Sequence, residues 1–127
     1  MKQRGGGAII NIASVWGLGA STSMPVAAYA SSKAALVNLT RQLAVEWASD
    51  GIRVNAIAPG FFETGLVAPG EDAEWKVKMR EQLAERLPMQ RRGQPDEIKG
   101  AALFLASDAS GLTTGHTLPV DGGWMAT

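Results

Sequence analysis

Cysteine is absent from this chain, and its twelve acidic side chains balance its twelve basic ones. Without cysteine no disulfide framework can form, so we expect a reducing, cytoplasmic environment. A formal net charge of zero provides no general attraction toward nucleic acid or an anionic membrane, and we expect neither as a partner. The single histidine, His116, has no acidic residues at ligand spacing, which argues against a metal site.

Long apolar runs are also missing. None approaches the roughly 18 residues that a membrane-spanning helix requires. There is no internal repeat, low-complexity tract or interdomain linker, and a chain of 127 residues is long enough for one domain. We therefore expect residues 1–127 to form one structural unit.

Short apolar runs flank a helical pattern in the first half of the chain. The β-branched run AIINIA (8–13) predicts a strand that is buried on both faces. Apolar residues then recur every three or four positions over 28–49, which predicts a helix that Asp50-Gly51 ends. IRVNAIA (52–58) predicts a second strand. Strand, helix and strand in this order indicate a parallel crossover of an α/β fold.

The second half predicts two helices and a final strand. Residues 71–87 are mostly charged, with apolar residues interspersed, which indicates a partly exposed helix. Residues 93–107 carry proline, aspartate and glutamate near their start, which suits a helix N-terminus. HTLPV (116–120) predicts a last short strand before a turn.

Tyr29 and Lys33 stand four positions apart in the segment YASSK, at the start of the first predicted helix. Residues at this spacing share one helix face, so both side chains can serve one site. A nearby ammonium favours the ionised form of a phenol, which makes a tyrosine a better general acid or base. The spacing alone is weak evidence for a site, because two surface residues are often placed this way by chance.

Other polar groups occur where the predicted strands end. Ser14 directly follows the first strand, and parallel sheets present reactive groups at the carboxyl ends of their strands. Pro59-Gly60 closes the second strand, with Thr64 four residues beyond the glycine. Ser14 could equally cap a turn, and Gly60 could be a turn residue. The order of serine, Tyr-x-x-x-Lys and Pro-Gly points to one site at this edge of the sheet.

Taken together, these segments resemble the short-chain dehydrogenase/reductase family over essentially the whole chain. GGGAIINIAS looks like the serine-bearing strand of that family, and YASSK like its tyrosine–lysine motif. IRVNAIAPGFFET is similar to its Asn-x-x-x-Pro-Gly-x-x-x-Thr segment, and GHTLPVDGG to its closing strand.

The resemblance implies a role for each matching residue. Ser14 would orient the substrate oxygen, Tyr29 would pass the proton, and Lys33 would bind the nicotinamide ribose. The nicotinamide side would be lined by Pro59, Gly60, Phe62 and Thr64. The implied reaction is hydride transfer between NAD or NADP and a secondary alcohol or carbonyl. The chain looks most like members acting on sugar acids and polyols, followed by reductases of 3-oxoacyl thioesters, and family membership implies a homo-oligomer.

Two parts of the family pattern have no counterpart here. The Gly-x-x-x-Gly-x-Gly turn between a strand and a helix is missing, because the glycines at 5–7 precede a strand instead. The catalytic asparagine of the family is missing as well, since Asn11, Asn38 and Asn55 lie in other segments. We therefore expect the C-terminal portion of a Rossmann-like, doubly wound parallel sheet, without the first-half dinucleotide-binding segment. The expected function is the catalytic half of an oxidoreductase; the alternative is a truncated, non-catalytic remnant acting as an assembly or interaction module.

Several further residues are open to two interpretations. Trp16 could contact substrate or pack in the core, and Trp124 could be a core or subunit contact. Arg86, Arg91 and Arg92 form a small basic cluster, for which a solvated loop is favoured over an anion site. By analogy with the family, 71–87 would be a lid over the substrate, with Trp75 and Met79 as lid residues.

Overall fold

A parallel sheet lies at the centre of the computed structural model, which describes residues 1–21, 25–64 and 85–127. Within these residues the strands are β1 (Gly7–Ile12), β2 (Ile52–Pro59) and β3 (Thr117–Val120), in the order β1-β2-β3. Both strand pairs are parallel, and the helices are α1 (Ala27–Trp47) and α2 (Lys99–Ala106). The predicted α/β class, with three parallel strands and flanking helices, is confirmed.

The central strand β2 carries the core because both of its faces are covered. Its even-numbered residues pack toward α1 in two clusters, one with Val37 and one with Ala44. Successive side chains of a strand point to opposite faces, so the odd-numbered residues lie on the other side of the sheet. Five apolar residues of β2 are at most 4% exposed: Ile52, Val54, Ala56, Ile57 and Ala58.

On the opposite face of the sheet, two polar residues of β2 form hydrogen bonds to neighbouring segments. The Arg53 guanidinium donates to the backbone oxygens of Leu105 and Ser107, at 2.9 and 3.2 Å, at the end of α2. Those carbonyls have no partner within the helix, and a cation there also complements the helix dipole. The buried Asn55 amide donates to the oxygen of Thr113 at 2.8 Å and accepts from the backbone of His116 at 3.1 Å. Asn55 therefore anchors the segment that leads into β3.

A part-buried pair of side chains joins helix α1 to β1. The Thr40 hydroxyl donates to the oxygen of Leu36 at 2.8 Å and accepts from the Asn11 amide at 2.9 Å. A short 3-10 turn at Ala48–Asp50 continues α1, and Gly51 follows it with a φ of 70°. This left-handed backbone conformation favours glycine, so the predicted stop at Asp50-Gly51 is confirmed.

The structure departs from the sequence-based expectations in two places. Strand β1 is only partly buried, and Ile12 is 51% exposed, because β1 is paired along one edge within the described residues. The helix expected over 93–107 begins as a 3-10 turn at Pro95–Ile98 before α2. The helix expected over 71–87, with Trp75 and Met79, lies outside the described residues up to position 84. In the described part of the chain, no helix is long and apolar enough to cross a membrane.

Candidate active site

Ser14 lies where β1 ends, in the loop that joins the sheet to α1. It is 6% exposed, and its Oγ accepts a hydrogen bond from the backbone N–H of Trp16 at 3.2 Å. The extended backbone at Ser14 and the 3-10 turn at Val15–Gly17 that follows make this an N-cap. A hydroxyl carries one proton besides its lone pairs, so Ser14 can still donate to a substrate oxygen. The serine is therefore both a turn cap and an available donor.

Tyr29 and Lys33 lie on the first two turns of α1, one helical turn apart. The Lys33 Nζ donates to the backbone oxygen of Ile12 at 2.9 Å, which places the ammonium two residues before Ser14. The same nitrogen lies 5.7 Å from the centroid of the Tyr29 ring. Tyr29 is 46% exposed, so its phenol is accessible. Lys33 thus links the tyrosine to the end of β1 that carries Ser14.

A glycine brings the loop after β1 against α1. A Cβ atom added to Gly17 would lie 2.7 Å from the carbonyl carbon of Lys33 and 3.0 Å from the nitrogen of Ala34. Real Cβ atoms essentially never approach backbone atoms below 3.0 Å. The close approach therefore requires glycine here, and it sets the spacing between the loop of Ser14 and the helix of Lys33.

The segment after β2 runs beside the end of β3. The backbone N–H of Gly60 donates to the oxygen of Val120 at 2.9 Å, and a Cβ on Gly60 would lie 2.7 Å from Cα of Asp121. Phe62 forms an isolated parallel bridge with Gly93, and the backbone N–H of Thr64 donates to the oxygen of Phe62 at 3.0 Å. Of the residues expected on the nicotinamide side, Pro59 and Gly60 lie at the strand end, whereas Phe62 and Thr64 follow in the loop.

Three aromatic rings contact one another at this edge of the sheet, and each comes from the segment after one of the three strands. The Trp16 ring lies 5.9 Å from Phe61 and 5.7 Å from Trp124, and Phe61 lies 4.9 Å from Trp124. All three contacts are edge-to-face, an arrangement that aromatic pairs prefer. Sequence reasoning left Trp16 and Trp124 open and missed Phe61. The signal was available, since an aromatic residue follows each predicted strand within five positions.

The three arginines of the small basic cluster contact different partners. Arg91 forms two hydrogen bonds of 2.7 Å with the Glu97 carboxylate. Arg92 donates to the backbone oxygen of Phe62 at 2.7 Å and reaches Glu63 at 3.3 Å. The guanidinium of Arg86 instead lies over the Trp124 ring, at 5.8 Å from its centroid. Each of the three guanidinium groups therefore has a different partner.

The ionic contact between Arg91 and Glu97 predicts a dependence of stability on pH. The hydrogen bonds from Arg91, and one of 2.7 Å from the backbone of Gln94, lower the pKa of Glu97 to about 2 from its ordinary 4.5. A carboxyl whose pKa is lower when folded stabilises the protein above the unfolded value and loses that effect as the pH falls through the folded value. We expect Glu97→Gln to lower the melting temperature near neutral pH, with the difference from wild type narrowing between about pH 4.5 and about pH 2.

Thermal unfolding followed by circular dichroism at a series of pH values measures this difference. In an Arg91→Met background, which removes the main cause of the shift, Glu97→Gln should have a much smaller effect. A difference that stays constant with pH would contradict the assignment.

Among residues 1–21, 25–64 and 85–127, no group of three histidine or acidic side chains is close enough to hold a metal ion. The backbone of His116 is held by Asn55, at the entrance to β3.

Comparison with known protein families and structures gives consistent matches. Residues 1–125 match the family model described as enoyl-(acyl carrier protein) reductase. A relative from Bacillus subtilis, 2-dehydro-3-deoxy-D-gluconate 5-dehydrogenase, is 48% identical over 126 residues, which are 99% of this chain and 48% of the relative. The chain thus spans about half the length of the curated relatives it matches.

Solved structures of similar proteins match the fold of this chain. A short-chain type dehydrogenase/reductase from Mycobacterium marinum is 38% identical with a TM-score of 0.88, covering 99% of this chain and 48% of that one. A gluconate 5-dehydrogenase from Burkholderia cenocepacia, in complex with NADP and tartrate, is 41% identical with a TM-score of 0.86, covering 99% and 48%. The parallel sheet described above therefore corresponds to part of the Rossmann-like fold of these proteins.

Proposed function

The chain belongs to the short-chain dehydrogenase/reductase family, and from this premise we propose that it supplies the catalytic residues of an NAD(P)-dependent oxidoreductase. The reaction is hydride transfer between a nicotinamide cofactor and a secondary alcohol or carbonyl. The observation that carries the proposal is the 2.9 Å bond from Lys33 to the end of β1, which joins the tyrosine–lysine helix to the serine strand. Residues 1–127 form a single partial domain in this proposal.

Each of the three side chains has one task. The Ser14 hydroxyl donates to the oxygen of the substrate and orients it. The exposed Tyr29 hydroxyl gives a proton to that oxygen during reduction and takes it back during oxidation. The Lys33 ammonium lies near the Tyr29 ring, where its positive charge stabilises a phenolate as the proton leaves.

The donors around Lys33 suit a nicotinamide cofactor. An ammonium has three N–H donors, and the bond to Ile12 uses one of them. The remaining donors can hold the hydroxyls of the nicotinamide ribose. We place the ring against Pro59, Gly60, Phe62 and Thr64, at the strand end where Gly60 lets the backbone pass close to Asp121. When bound, the cofactor supplies or accepts the hydride, whereas the protein provides orientation and the proton path.

The names of two relatives indicate the class of substrate. The Bacillus subtilis relative is a dehydrogenase of a sugar acid, and the Burkholderia cenocepacia relative is a gluconate dehydrogenase. We propose a small polyhydroxylated alcohol or its ketone as substrate, with NADP or NAD as cofactor. A homo-oligomer is part of the proposal, because Val45 on α1 and Leu103 on α2 are 79% and 71% exposed in the single chain.

A chimera tests the proposed activity. In it, residues 1–127 replace the matching 126 residues of the Bacillus subtilis relative. We expect the chimera to form NADH or NADPH with a sugar acid or polyol, measured by absorbance of the reduced cofactor. A folded chimera that binds cofactor but transfers no hydride with any such substrate would refute the proposal.

The second candidate is a non-catalytic assembly or interaction module. The same exposed apolar side chains on α1 and α2 favour it, since such surfaces mark contacts with other proteins. Analytical ultracentrifugation of the 127-residue chain measures self-association, which both candidates allow, and an assay of hydride transfer with NADPH separates them. Self-association without activity in either the chain or the chimera supports the module.

A further inference from the structure

Arg86 has a defined position but no acidic partner in the described part of the chain. Its Cζ lies 5.8 Å from the centroid of the Trp124 ring. A cation within about 6 Å of an aromatic face is attracted by the electrons of the ring. Such a contact holds the guanidinium in place without consuming its five N–H donors. Within residues 1–21, 25–64 and 85–127, those donors make no hydrogen bond.

The neighbouring charges differ from Arg86 in this respect. Arg91 and Arg92 are both paired with carboxylates, as described above. Asp121 begins the turn that carries Trp124, but its two carboxylate oxygens accept from the backbone N–H groups of Gly123 and Met125, each at 2.9 Å. This carboxylate therefore stabilises the turn. Among the three arginines, Arg86 is the one whose charge no described carboxylate offsets.

Arg86 also lines a cavity on the loop that begins at Ser14. The cavity has a volume of about 290 Å³. This volume is near the lower end of the range for small-molecule sites. Its wall contains Trp16, whose backbone N–H donates to the Ser14 Oγ, and Trp124. Of the residues that the structure describes, Gly19, Ala20, Met125 and Thr127 also line it.

We propose that Arg86 binds the carboxylate of a hydroxy-acid or keto-acid substrate in this cavity. The inference rests on the proposed function, because the cavity shares its loop with Ser14. A guanidinium matches a carboxylate with two parallel N–H···O bonds, which a neutral hydroxyl cannot reproduce. Arg86 is therefore a specificity-determining residue that selects sugar acids over uncharged polyols. It has no role in the transfer of hydride or proton.

A pair of probes that differ in the carboxylate tests this selection. D-Gluconate and D-glucitol share a six-carbon hydroxylated chain, but D-glucitol has an alcohol where D-gluconate has its carboxylate. We expect Arg86→Met in the chimera to lower kcat/KM for D-gluconate by roughly 10- to 100-fold, the range for losing a charged hydrogen-bonded contact. The loss should be mainly in KM, and kcat/KM for D-glucitol should change less than about twofold.

Two further variants control for the charge at position 86 and for the loss of an arginine elsewhere. Arg86→Lys keeps the positive charge but removes the paired N–H donors of the guanidinium. We therefore expect an intermediate loss of kcat/KM for D-gluconate. Arg41→Met removes an exposed arginine of α1, and kcat/KM for both substrates should stay unchanged. Equal losses on both probes in Arg86→Met, or no loss on D-gluconate, would overturn the proposal.

Calorimetric binding keeps the test independent of turnover. D-gluconate should bind the wild-type chimera at least tenfold more tightly than D-glucitol, and Arg86→Met should remove this difference. If the chimera transfers no hydride but shows this pattern, the proposed function fails while the carboxylate site stands. If the wild type does not discriminate between the probes, or Arg86→Met still does, the carboxylate site is refuted whatever the activity.

Discussion

Replacing Tyr29 with phenylalanine is expected to reduce kcat of the chimera by roughly 100- to 10,000-fold, the range that general acid–base catalysis contributes. Phenylalanine keeps the ring that lies 5.7 Å from the Lys33 ammonium but removes the hydroxyl that exchanges the proton. Because the ring stays and the side chain is 46% exposed, neither stability nor cofactor binding should change much. Steady-state kinetics and the fluorescence of bound NADPH measure the two properties separately.

A nearby serine provides the matched control for Tyr29→Phe. Ser31 is exposed on the same turns of α1, so Ser31→Ala removes a hydroxyl without approaching the proposed site. We expect Ser31→Ala to keep wild-type kcat. If Tyr29→Phe retained more than about a tenth of kcat, well outside the range for losing a general acid, the tyrosine would have another role.

Gly17→Ala is expected to destabilise the chimera by roughly 1–3 kcal/mol, the usual cost of overpacking a filled site. The added methyl would lie 2.7 and 2.8 Å from the carbonyl carbon and oxygen of Lys33. These are backbone atoms of a helix, so they cannot rotate away as a side chain could. Relief requires the loop to move from α1, which also separates Ser14 from Lys33. Urea unfolding measures the free energy of unfolding, and kcat/KM should fall in parallel.

Gly100→Ala is the matched control, because the added atom meets nothing within 4 Å. Gly100 lies inside α2, where alanine is a better helix former than glycine by up to about 1 kcal/mol. We therefore expect the same chemical change to stabilise the protein at position 100 and to destabilise it at position 17. Equal effects at the two positions would show that close packing of Gly17 is not the cause.

The contrast between Arg86 and Arg91 shows how far the sequence could predict the candidate site. Both are basic residues in one short charged segment, and the sequence suggested a single solvated cluster. The fold places Glu97 beside Arg91 and Trp124 beside Arg86. Neither pairing follows from spacing, because each depends on how the turn after β3 and the start of α2 approach that segment.

The sequence by itself determined the local elements of this protein. The strands, the long helix, the stop at Gly51 and the order of Ser14, Tyr29 and Lys33 all follow from short-range patterns, since backbone propensity and side-chain periodicity act over a few residues. They also sufficed to identify the family.

Only the tertiary structure decided which distant side chains meet. The cluster of Trp16, Phe61 and Trp124 and the approach of Gly17 to Lys33 join segments far apart in the chain. Such contacts are set by strand register and by the packing of helices on the sheet, in which a shift of one residue turns every side chain to the opposite face.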